Sequence, residues 1–160
     1  MRTRIARLQS ASVTSPNDQP DQQRAFADAI APRSLRVLIA DDERDSVLTL
    51  MLLLQDEGHE VRGVSTGKQA LSALSGFDAD VVLLDIALPE LSGWEVAREI
   101  RKRRGRDRPL LIGISGEYKQ GADRILSQIL GFDHYLLKPY AASALLALIA
   151  PLTLPPAAQP

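Results

Sequence analysis

The sequence predicts a doubly wound α/β fold of five parallel strands and five helices. Three observations carry this: short apolar runs, helically spaced apolar residues between them, and strict alternation of the two. The runs are Leu35–Ala40, Val61–Val64, Val81–Leu84, Leu110–Ile114 and Tyr135–Leu137. They are too short for helices, rich in Val, Ile and Leu, and bounded by charged or Gly residues, as suits strands buried on both faces.

The stretches between them repeat at helical spacing. Val47, Leu50, Met51 and Leu54 mark the first helix; Ala70, Leu71 and Leu74 the second; Trp94, Val96, Ala97 and Ile100 the third; Ile125, Leu126 and Ile129 the fourth. A last apolar helix fits Ala141–Ile149 and is expected to end before Pro151, which lacks the N–H that a helix interior needs. Strands alternating with helices imply right-handed crossovers. Ahead of Leu35, the Ser-, Pro-, Asn- and Gln-rich stretch from Ser10 to Pro32 has too few apolar residues in phase to bury a face. Residues 1–34 are therefore expected to be a flexible arm, 35–150 the domain, and 151–160 a tail.

Composition narrows the function. With 160 residues, 45% hydrophobic and 24% charged, the chain suits one globular domain. There is no cysteine, which excludes disulfides, thiolate metal sites and cysteine nucleophiles. No apolar run approaches the ~20 residues that span a bilayer, and the basic start is not followed by a secretory apolar stretch, so a cytoplasmic protein without membrane contact is expected. The net charge of −1 gives no polyanion signal. Arg101–Arg108 holds six basic residues in eight. That run fits a helix C-terminus closed by Gly105 better than a nucleic-acid surface, since no aromatic residues interleave it. His59 and His134 sit in no ligand or base pattern, and Trp94 reads as a packing residue that could report on a nearby pocket by its fluorescence.

In a parallel sheet of this kind the functional crevice lies at the carboxyl ends of the strands. There the sequence places Asp41, Asp42 and Glu43 after the first strand, Asp85 at the end of the third, Ser115 at the end of the fourth and Lys138 after the fifth. The second strand offers only Ser65 and Thr66. Facing carboxylates repel unless a cation sits among them, and hard oxygen ligands that welcome phosphate select Mg²⁺. A lysine and a hydroxyl opposite the acids then suit an incoming phosphoryl group, with Asp85 as nucleophile. Taken singly, each has a plainer role: Asp42 and Asp45 as helix caps, Asp85 and Ser115 as turn residues. Four such residues at four strand ends of one sheet favour a joint role.

The stretches Val37–Glu43, Asp80–Val96, Ile114–Gly116 and Gly131–Pro139 resemble the receiver domains of two-component response regulators, in order and in spacing. The resemblance covers about 35 to 150. It implies a flavodoxin-like sheet of strand order 2-1-3-4-5 with five helices, and a chain that is phosphorylated by a histidine kinase or phosphotransfer protein. Residue by residue, it implies Asp85 as phosphoacceptor; Asp42, Asp85 and the backbone carbonyl of Ala87 as Mg²⁺ ligands; and Asp41 acting through a water. Ser115 would bond a phosphoryl oxygen and Lys138 would pair with the phosphate across a cis Lys138–Pro139 bond. Tyr135 would be the aromatic switch, and Ala87 and Glu117 would tune dephosphorylation.

Signal output is then expected on the face of the fourth helix, fifth strand and fifth helix, where a downstream protein or a second copy of the chain could bind. An aspartyl-phosphate phosphatase or phosphotransferase is the rival, but those enzymes generally place a second acid two residues beyond the nucleophile, where this chain has Ala87. The chain is therefore expected to be a phosphoacceptor that assists its own phosphorylation and dephosphorylation, not an enzyme for outside substrates. A phosphate sink without dedicated output is a further alternative. Only ten residues follow Ala150, and on that basis a stand-alone receiver without a nucleic-acid partner is expected.

Overall fold

The computed structural model describes residues 32–105, 108–116 and 131–154. The chain divides into two units, Met1–Ala31 and Pro32–Pro160, and the described residues all belong to the second. They form β1 (Arg36–Ala40), α1 (Arg44–Asp56), β2 (Glu60–Val64), α2 (Gly67–Gly76), β3 (Val81–Asp85), α3 (Gly93–Arg104), β4 (Leu110–Ser115), β5 (His134–Leu137) and a closing helix α4 (Ala142–Thr153). The helix expected around Ile125–Ile129 lies outside the described residues. No helix among those described is long and apolar enough to cross a membrane.

The sheet is parallel throughout, in the order β2-β1-β3-β4-β5. Side chains alternate along each strand, so the two faces draw on different residues. One face packs Leu38, Val82, Leu84 and Leu111 against Ala70 and Leu74 of α2 and Val96, Ala97 and Ile100 of α3. The opposite face packs Val37, Ile39, Val81, Leu83, Ile112 and Ile114 against Leu50 and Leu54 of α1 and Leu145 and Ile149 of α4. Each such apolar side chain, when fully buried, contributes about 1.5–3 kcal/mol, far more than a surface ion pair, so the two cores set the architecture.

Local signals fix the ends. Thr66 caps α2 by accepting a hydrogen bond from the Gln69 amide, and Ser92 with Glu95 forms a reciprocal capping box on α3. At the other end of α3, Gly105 takes φ 75°, a left-handed conformation that suits glycine, and its N–H bonds the Arg101 carbonyl. The expectation that the last helix stops before Pro151 needs correction, because α4 runs through Pro151 to Thr153. The missing N–H costs only one bond near the helix end, and Leu152 packs on the core beyond it. The Thr153 carbonyl then accepts the backbone N–H of Arg33 at 2.7 Å.

The end of the sheet opposite the carboxyl ends is fastened by Asp80, which is 8% exposed. Its carboxylate accepts the Arg36 amide at 2.9 Å, the Arg108 guanidinium at 2.5 Å and the Arg33 guanidinium, tying β1, β3 and the approach to β4. Arg33 and Ser34, read above as part of the arm, are thus bonded to the domain, Ser34 through its hydroxyl to the Gly58 carbonyl. Burial alone would raise the Asp80 pKa. The hydrogen bonds from Arg36 and Arg33 and the charges of Arg33 and Arg108 outweigh it and hold the carboxyl below its usual value.

Replacing Asp80 with Asn is expected to lower stability at pH 7 by about 1–3 kcal/mol, measured by urea unfolding. A carboxyl depressed in the fold contributes its stability above the unfolded value, about pH 4, and loses it as the pH falls through the native value. The gap between wild type and variant should therefore narrow on acidification; a gap that widened would contradict the assignment.

Candidate functional site

Strand order places the carboxyl ends of β1 and β3 side by side at the point where the winding reverses. Ala40 pairs with Leu84, so the next residues, Asp41 and Asp85, face one another across the crevice. Both are buried, at 1% and 7% exposure, while Asp42 is exposed. Carboxylate oxygens of all three lie within 4.8 Å of one another.

Each carboxylate is held differently. One oxygen of Asp41 accepts the Glu43 amide at 2.9 Å, and the other accepts the Ser46 hydroxyl at 3.1 Å and the Lys138 ammonium at 2.7 Å. Asp85 receives the Ala87 amide on Oδ1 at 2.7 Å and Lys138 on Oδ2 at 2.9 Å. Asp42 makes neither a hydrogen bond nor an ion pair among the described residues. Glu43 is the N-cap residue of α1 but makes no side-chain cap bond. The capping role considered for Asp42 is therefore not what the structure shows.

Lys138 reaches these acids from the far side of β4. Its backbone N–H bonds the Ser115 carbonyl at 2.7 Å, and Ser115 pairs with Leu137 in the ladder, which places Ser115 between the lysine and the acids in the strand order. Partial burial would lower the lysine pKa, but the hydrogen bonds to Asp41 and Asp85 and the charges of both prevail and raise it well above the ordinary value. Burial also pushes the Tyr140 phenol up, with the acids reinforcing and Lys138 opposing.

One ammonium against three carboxylates leaves a local surplus of two negative charges. That surplus, the all-oxygen donor set and the exposed, unpartnered Asp42 suit a hard divalent cation. The Lys138–Pro139 bond is cis, as is Arg108–Pro109.

Tyr135 pairs with Gly113, and its ring lies so near that a Cβ on Gly113 would stand 3.0 Å from Cδ2. It also stacks at 6.4 Å on Trp94, which meets Phe132 edge-on at 5.3 Å. Glu117 lies outside the described residues. Sequence reasoning missed Ser46 and Tyr140. Ser46 lies in the first turn of α1, five residues after Asp41, where a hydroxyl near the strand-end acids could have flagged it; Tyr140 carries no such signal.

The basic run on α3 is largely tied down. Arg101 bonds the Gly131 and Pro109 carbonyls and Asp133, Arg103 pairs with Glu99, and Arg104 bonds Asp78 and the Leu74 carbonyl. Arg101 thus joins α3 to the segments before β4 and β5, Arg104 joins it to α2 and the loop after it, and the Arg103 pair lies within the helix.

The family model described as response regulator receiver domain matches residues 37–150. The chain is 35% identical over 113 residues to the transcriptional regulatory protein TcrA of Mycobacterium tuberculosis, a match covering 71% of this chain and 44% of that one. It is 36% identical over 105 residues to the response regulator SaeR of Staphylococcus aureus, covering 66% and 44%. The chain therefore spans less than half the length of these curated relatives. Neither the stand-alone expectation nor the exclusion of a nucleic-acid partner draws support from them.

Among solved structures, a CheY-like receiver from Methanospirillum hungatei JF-1 superposes with a TM-score of 0.68 at 28% identity, covering 75% of this chain and 94% of that one. The receiver domain of the sensor histidine kinase PA1611 from Pseudomonas aeruginosa PAO1 gives 0.65 at 28% identity, covering 72% and 94%. That structure has a magnesium ion coordinated in its active-site cleft.

Replacing Lys138 with Met should destabilise the protein by about 2–4 kcal/mol at pH 7, because two buried carboxylates lose their shared cation. A lysine raised in the fold contributes fully below its unfolded value, about pH 10, and loses that contribution as the pH climbs through the native value. Urea unfolding should thus show a constant gap between variant and wild type across neutral pH that closes only in strong alkali. Closure near neutrality would contradict the pairing.

Proposed function

The chain belongs to the response regulator receiver domain family, and from that membership we propose that it takes a phosphoryl group on Asp85 from a histidine kinase or phosphotransfer protein. The observation that carries this reading is the convergence of Asp41, Asp42, Asp85 and Lys138 at one crevice.

In the proposed transfer, an Asp85 oxygen forms a bond to phosphorus as the donor's N–P bond breaks and its electron pair stays on the departing imidazole nitrogen. The Lys138 ammonium, already on Asp85 Oδ2, would pair with a phosphoryl oxygen, and the Ser115 hydroxyl would donate to another. Asp42 and Asp85, with the Ala87 carbonyl, would hold a Mg²⁺ ion, and Asp41 would support it through a water. When bound, the ion neutralises charge between two anions that must meet. The charge surplus of the crevice and the magnesium ion in the cleft of the PA1611 receiver support this part of the reading.

A phosphoryl group carries about two negative charges at neutral pH, about one more than the carboxylate it is attached to. Drawn toward it, Ser115 would shift and leave room for the Tyr135 ring to turn, altering the surface that β5 and α4 present to a downstream protein or a second copy of the chain. Ala87, exposed beside Asp85, carries no acid that could serve an outside substrate, which supports a signal-storing acceptor. Ala87 and Glu117 would then tune the lifetime of the phosphoryl group.

Wild-type protein incubated with Mg²⁺ and radiolabelled acetyl phosphate should become labelled, and Asp85→Asn should not. Equal labelling of Asp85→Asn would overturn the assignment.

A further inference from the structure

Between β3 and α3, the loop 86–92 carries the backbone that touches Asp85, and its position depends on a seam with α2. At the Asp85 end, the Ala87 N–H bonds Asp85 Oδ1 at 2.7 Å. The Gly93 N–H bonds the Ile86 carbonyl at 3.0 Å and closes the loop on itself. At its outer end the loop lies against the first residues of α2. The Gly67 N–H bonds the Pro89 carbonyl at 3.3 Å, and the Lys68 ammonium pairs with Glu90 at 3.1 Å. Glu90 itself takes φ 67°, a left-handed conformation that a residue with a side chain adopts at a cost, so something must hold it there.

Gly67 is where the two segments meet. A Cβ on this residue would stand 2.2 Å from the carbonyl oxygen of Leu91 and 2.7 Å from its Cβ, far inside contact distance. The yielding partner would be the loop. Helix α2 is anchored by the buried Ala70 and Leu74 and by the Thr66 cap, whereas the loop, held at Ile86 by a bond to the Ile114 carbonyl and at the buried Leu88, has beyond Leu88 only turn backbone with a strained residue at its tip.

We propose that Gly67 is a positioning residue for Asp85. By lacking a side chain it lets the Leu91 backbone close on α2, and this contact, with the Lys68–Glu90 pair, sets the loop that presents the Ala87 N–H to the Asp85 carboxylate. The inference rests on the reading of Asp85 as phosphoacceptor and adds what sets that acceptor's geometry. A displacement of about 1 Å at a reacting group can cost on the order of 100-fold in rate, so a seam of this tightness matters to transfer even though it touches no reacting atom.

The test compares wild type with Gly67→Ala, Glu90→Gly, Lys68→Glu and the double exchange Lys68→Glu with Glu90→Lys. Three quantities are read: the initial rate of labelling by acetyl phosphate at saturating Mg²⁺, the melting temperature, and the amide resonance of Ala87 in metal-free protein. Gly67→Ala should slow labelling by roughly tenfold or more and move the Ala87 resonance. Lys68→Glu should slow it by about two- to threefold, as befits an exposed pair, and the double exchange should restore it.

Glu90→Gly relieves the left-handed strain, so its melting temperature should not fall while its labelling still slows. That split is one that a merely structural seam would not give, and it decides the matter even if Gly67→Ala fails to fold. Wild-type rates and an unmoved Ala87 resonance in Glu90→Gly and Lys68→Glu would overturn the proposal. If wild type itself takes no label, the reading of Asp85 falls instead, and the Ala87 resonance still reports whether the seam positions the loop.

Discussion

The Lys138 ammonium, shared between Asp41 and Asp85, is the contact on which the site depends. Two carboxylates about 5 Å apart repel by roughly 3 kcal/mol at an effective dielectric of about 20, and both are largely withdrawn from water here. A cation drawn from the end of β5, 97 and 53 residues away in sequence, offsets that repulsion. Its partial success leaves the crevice short of two positive charges, a surplus of negative charge that, with the exposed Asp42, suits a further cation.

That ammonium can reach only because the sheet brings the ends of β1, β3 and β5 to one edge. The two apolar faces enforce the sheet, since each strand of the centre is covered on both sides and a slip of one residue would exchange their side chains. Asp80 performs the complementary task at the opposite edge, where one carboxylate takes hydrogen bonds from three arginine residues. The acids at the two edges differ in kind. Asp80 is satisfied by its neighbours and is structural, whereas the Asp41, Asp42 and Asp85 group is left in charge deficit.

Strands were legible in the sequence to within about one residue, because runs such as Val81–Leu84 must be apolar on both faces. Asp41, Asp85 and Lys138 were legible as a group because strand ends in this topology converge. What the sequence could not show was contact across elements. Ser46 binds Asp41 through the first turn of α1, Tyr140 feels the same charges, and Gly67 reads as an ordinary helix start until the Leu91 backbone is seen beside it. Pro151 misled for a related reason: its helix-breaking tendency is local, while the packing of Leu152 that carries α4 past it is not.

Which side chain accepts a phosphoryl group decides the chemistry proposed for the crevice. Protein treated with acetyl phosphate and Mg²⁺ and then reduced with borohydride converts an acyl-phosphorylated aspartate to homoserine, which peptide mass spectrometry locates. Homoserine at position 85 and nowhere else is the predicted result. Conversion at Asp41, Asp42 or another acid, with position 85 still aspartate in labelled protein, would contradict it.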